Sequence, residues 1–150
     1  MAKDKKRIDS RIKPSPDRTI KSGAKSDFLD DLLRFSFKFY DPDHPEFHCK
    51  DREVEYFQKF LERIKELSRE KVSSLTNRKA DRALRFHPID FGEDRVSKDG
   101  FGVAGWEEYD DDAWQFSLSK TENGRVHGFL IENVFYVVWL DPRHRLYPKE

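Results

Sequence analysis

The last third of the chain restricts the fold most tightly. Trp114, Phe116 and Leu118 alternate with Gln115, Ser117 and Ser119, the two-residue period of a half-buried strand. Asn123-Gly124 follows, a pair that tolerates positive φ and so closes a tight hairpin. A returning strand is expected over residues 125–131, a second turn at Glu132-Asn133, and a third strand over residues 134–140. That third segment, VFYVVWL, is apolar on both sides of its alternation, which requires a central strand covered on both faces. Asp141-Pro142 ends it. A three-strand antiparallel meander with one doubly buried strand cannot stand alone, so the rest of the chain has to supply its covering layers.

Upstream, residues 33–40 place Leu33, Phe35, Phe37 and Phe39 on one side and Arg34, Ser36 and Lys38 on the other, predicting a further strand. Residues 53–68 set Val54, Phe57, Phe60, Leu61, Ile64 and Leu67 on one helical face, predicting an amphipathic helix laid on the sheet. A shorter helix is expected over residues 71–78 and a brief strand at Leu84 and Phe86, closed by Pro88. Residues 90–112 carry Gly92, Gly100, Gly102 and Gly105 among several acids and read as a long loop. The expected class is α+β: an antiparallel four- to five-stranded sheet with one long and one short helix packed on it.

Charge divides the chain. Of its 150 residues 39% are charged, yet 14% are aromatic, so large rings supply the burial that few aliphatics could. Residues 1–25 hold a net +6 and the remainder a net −6. Residues 1–26 therefore read as a disordered basic leader, and residues 27–150 as one domain. The single cysteine, Cys49, excludes an intrachain disulfide and fits a reducing compartment. No apolar run is long enough to span a membrane and no apolar stretch follows the basic N-terminus, so a cytoplasmic protein without a membrane partner is expected.

The sequence has no Walker loop, dinucleotide fingerprint, HExxH, paired CxxC or GxSxG motif, which excludes the most recognisable nucleotide-binding and hydrolase classes. Histidines remain. His87 ends the short strand, His127 lies within the strand over residues 125–131 on the side opposite Val126 and Leu130, and His144 follows the central strand between Arg143 and Arg145. Two imidazoles and an arginine on one sheet rim could remove a ribose 2′-proton, protonate the leaving oxygen and stabilise a phosphorane. Arg145 and Tyr147 would add RNA contacts. A divalent-metal site is the competing chemistry in residues 41–49, where Asp41, Asp43, His44, Glu46, His48 and Cys49 crowd together. Pro45 interrupts the helix that would align His44 with His48, so a plain turn is the better account, with no metal or cofactor expected.

The stretch WQFSLSKTENGRVHGFLIENVFYVVWLDPRHRLYP resembles the C-terminus of a group of small bacterial proteins of unassigned activity. More distantly, the element order is similar to that of RelE-superfamily toxins, the YafQ-like branch above all, which cleave mRNA on the ribosome. His87-Pro88, His127, the 134–140 run and His144 before Leu146-Tyr147 carry that similarity. It implies acid/base roles for His87, His127 and His144, with Asp141 orienting an imidazole and Arg125 or Arg143 contacting phosphate. It also implies RNA or the ribosome as substrate and a cognate antitoxin as partner. The chain departs from such toxins in its long 90–112 loop and its acidic folded part. The resulting expectation is a toxin-like, metal-independent endoribonuclease. The alternative is a non-catalytic interaction module of an accessory or mobile-element protein, binding through its sheet edge or its Gly-rich acidic loop.

Overall fold

The computed structural model describes residues 31–77, 84–119 and 124–148. The expected leader over residues 1–26 lies outside them. In chain order the elements are β1 (Arg34–Ser36), α1 (Val54–Ser68), α2 (Val72–Thr76), β2 (His87–Pro88), a 3₁₀ segment (Glu107–Asp112), β3 (Ala113–Ser117), β4 (Arg125–Ile131) and β5 (Val134–Asp141). They form one five-stranded sheet in the order β1-β5-β4-β3-β2. The class is α+β, with a long and a short helix, and no described helix is long and apolar enough to cross a membrane.

The sheet is mostly antiparallel. Its exception is β1, which runs parallel to β5 with Arg34 opposite Val134 and Ser36 opposite Tyr136. Alternation shows which side chains share a face but not which way a strand runs, so this direction was not available from the pattern. β1 is also shorter than the alternation predicts. The chain turns after Ser36, with the Tyr40 N–H donating to the Phe37 carbonyl, so Phe37 is 50% exposed while Phe39 packs on the opposite face against Trp106 and Phe129.

Two cores seal the two faces. One joins Leu33, Tyr56, Leu67, Phe116, Val126, Phe135 and Val137 beneath α1. The other joins Phe47, Ile89, Val96, Phe101, Phe129, Val138 and Trp139. β5 is thereby buried on both sides, as its sequence requires. The second cover is the segment read as an open loop. Residues 90–112 pack Val96 and Phe101 into the sheet, and the Ser97 N–H donates to the Leu146 carbonyl at 2.9 Å. Rings spaced at neither 2 nor 3.6 residues leave no periodic trace, although they bury just as much area.

Helix α1 is rotated from its expected orientation. Tyr56 and Leu67 are buried with Phe60 and Ile64 packed beside them, whereas Val54 is 74% and Leu61 65% exposed. An aromatic ring at Tyr56 buries more area than valine at 54, and that draws the stripe round.

A register shift between β4 and β5 matters for the site. His127 faces Trp139 but the next residue, Gly128, faces Val137, leaving Val138 as an extra residue on β5. This bulge turns both Val138 and Trp139 toward the second core, and the Val138 carbonyl takes the Asp41 N–H instead.

Candidate functional site

Cross-strand register builds the site. His87 on β2 faces Gln115 on β3, which faces His127 on β4, so three polar side chains form a row on the face of the second core. Arg125 stands two residues from His127 on the same side of β4, opposite Asp141 at the end of β5. Beyond the edge of that core the row opens into a cleft of about 520 Å³.

Six of the eight expected site residues line this cleft: His87, Arg125, His127, Asp141, His144 and Tyr147. Arg143 and Arg145 do not. The Arg143 guanidinium pairs with Asp51, and what Arg145 contributes is its backbone N–H, donated to Asp141 at 2.8 Å. Alternating basic residues beside His144 suggested a shared role, but the turn after β5 sends them outward. Arg85, Glu93, Arg95 and Gln115 complete the lining and were missed. Arg85, Glu93 and Arg95 come from irregular segments with no pattern to read. Gln115 fell on the side of its strand expected to be polar and open, but the second core covers that side too and leaves it 2% exposed.

His127 and Asp141 form a buried pair at the floor. His127 is 0% exposed, and its Nε2–H donates to Asp141 Oδ2 at 3.0 Å. Burial pushes the imidazole below its ordinary pKa, against the opposing pull of Asp141, and keeps it neutral. Burial alone would raise the Asp141 carboxyl. Hydrogen bonds from His127 and the N–H groups of Leu146 and Arg145 outweigh it and hold the group low. A neutral imidazole that gives its Nε2–H to a carboxylate presents a lone pair at Nδ1, and that atom is buried without a partner. Gln115 Nε2 lies 3.3 Å from the His87 ring, while its Oε1 is likewise buried and unpartnered.

Arg125 supplies the charge. It is only 8% exposed, yet it makes no ion pair among the described residues. Its Nη1 donates to the Gly124 carbonyl at 3.2 Å and lies 3.5 Å from His144 Nε2. Burial and then the neighbouring Arg85 charge push the guanidinium down to about 10. Arg95 stands over the Tyr147 ring and is tied to Glu93 at the rim. Of the three described non-glycine residues with positive φ, Arg85 (47°) and His144 (57°) both line the cleft. Left-handed backbone costs energy and concentrates where a side chain has to be aimed.

The loop over residues 41–49 holds no comparable arrangement. His44 Nδ1 accepts the N–H groups of Glu46 and Phe47, and no group of three metal-ligating side chains is gathered among the described residues.

The buried pair has a consequence for stability. Because His127 has a lower pKa folded than unfolded, the unfolded chain binds protons more readily, so its contribution is full above about pH 6.5 and shrinks as pH falls toward the folded value. Asp141, also held low, adds a contribution that is full above about pH 4 and lost as pH falls through its folded pKa. The thermal midpoint is expected to drop by several degrees between pH 7.5 and 5, and the His127→Gln variant to show a flatter profile over that range. Equal slopes for the two proteins would contradict a neutral buried His127.

No protein-family model, no curated protein and no solved structure matches this chain.

Proposed function

We propose that the chain is a toxin-like endoribonuclease, acting in the cytoplasm on free or ribosome-bound RNA and held in check by a cognate antitoxin. The observation that carries this reading is Arg125: a buried guanidinium in no ion pair among the described residues, across from an Asp141 carboxylate already taken by three other donors, beside His144 and two residues from the unpartnered Nδ1 of His127. A buried cation whose facing carboxylate is spent on other donors can take an anion from outside, and Arg85 at the same cleft adds positive charge.

The chemistry follows from the two imidazoles. His127 Nδ1 takes the proton of a ribose 2′-hydroxyl, Asp141 holding the ring in the required tautomer. The 2′-oxygen attacks phosphorus, and Arg125 stabilises the charge on the phosphorane. As the P–O5′ bond breaks, His144 relays a proton from solvent to the departing oxygen. The products are a 2′,3′-cyclic phosphate and a 5′-hydroxyl. Nδ1 is closed off from solvent in the structure, so the side chains above it have to part before the 2′-hydroxyl reaches it.

Purified protein incubated with free RNA in chelator, and with ribosome-bound RNA in magnesium buffer, is expected to yield fragments ending in cyclic phosphate. His144→Ala should slow that reaction by roughly 100-fold, the lower range for losing one general acid. Intact RNA with folded wild-type protein would reject the proposal.

A partner-binding module is the second reading, and the exposed row of Val54, Phe57 and Leu61 on α1 favours it. The expected docking features offer less. The edge strands β1 and β2 are three and two residues long, which leaves little backbone for strand addition, and the acidic loop is committed to the second core.

A further inference from the structure

Two buried acceptors stand side by side at the cleft floor. Gln115 Oε1 and His127 Nδ1 each lack a partner, and their residues are register neighbours on β3 and β4. Side chains so placed on one face of an antiparallel pair lie about 5 Å apart at Cβ. The amide oxygen can only accept, and Nδ1 can only accept while Nε2–H is given to Asp141. Both therefore call for hydrogen-bond donors, and both side chains belong to the cleft floor, where the two atoms themselves are closed off from solvent.

The endoribonuclease reading, on which this inference rests, assigns one donor: the 2′-hydroxyl on His127 Nδ1. Gln115 Oε1 then faces the sugar edge of the same nucleotide's base. On that edge adenine, cytosine and uracil present acceptors only, whereas guanine presents its 2-amino group. An acceptor opposed to Oε1 would repel it and leave it unsatisfied. We propose that Gln115 reads the guanine 2-amino group and directs cleavage to the 3′ side of guanosine. Discrimination of this kind is strong because a site built for a donor is penalised when the donor is missing.

Inosine is guanosine without the 2-amino group, so it isolates the contact. Full-length protein should cleave an oligoribonucleotide at a single guanosine roughly ten- to a hundredfold faster than at inosine in the same place. Adenosine, cytidine and uridine should match inosine. In Gln115→Met, which keeps the length of the side chain but not the acceptor, the guanosine rate should fall to that of inosine. If that variant does not fold, the wild-type comparison decides alone. Equal wild-type rates at guanosine and inosine would overturn the assignment and leave the nuclease reading standing. Failure to cleave any RNA would instead remove the nuclease reading and this inference with it.

Discussion

Asp141→Ala is expected to destabilise the fold by about 3–5 kcal/mol, seen as a lower midpoint in urea at unchanged slope. The carboxylate accepts three donors: His127 Nε2–H at 3.0 Å, the Leu146 N–H at 3.0 Å and the Arg145 N–H at 2.8 Å. Alanine orphans all three, and His127 and Leu146 are wholly buried. Each buried donor left unmatched costs about 1–3 kcal/mol. For a domain whose net stability is about 5–15 kcal/mol, that is a large share. Asp141→Asn keeps one acceptor oxygen and should lose less. A loss below about 1 kcal/mol for the alanine variant would mean that the carboxylate does not secure the turn after β5.

Gly128→Ala should be comparably severe, above about 3 kcal/mol. Gly128 sits at the register shift, where a Cβ would run into the Tyr136 carbonyl oxygen on β5 and into the Phe135 ring. A ring can yield, but the carbonyl belongs to a strand held between two cores. Gly102→Ala is the control. Gly102 has a φ of +69° and open space where the Cβ would go, so its cost is limited to about 1–2 kcal/mol of backbone strain. Similar losses for the two variants would show that conformation, and not the close approach of β5, fixes residue 128.

Sequence pattern was legible where one period governed many residues. β4 fell on its expected residues, and β5 only one residue beyond them, because alternation and a doubly apolar run leave few other arrangements. Helix α1 was legible as an element but not in its rotation, since Tyr56 and Val54 compete for the inner position and only the sheet decides between them. The truncation of β1 and the packing of residues 90–112 depend on tertiary partners far along the chain, which no local period records. The cleft divides the same way. His87, His127 and His144 were identifiable by chemistry; register aligns the first two, and the turn after β5 brings His144 to the same cleft. Gln115 gains its place only through pairing with both His87 and His127, so its polarity alone said little.

The parallel pairing of β1 with β5 sets an order of events during synthesis. Arg34 cannot meet Val134 until a hundred further residues have been made, and closing so long a loop is slow. Until then Phe35 has no strand beside it, and the Asp141 that anchors His127 does not yet exist. A nascent chain therefore carries no assembled cleft, and the sheet closes only when its last strand emerges.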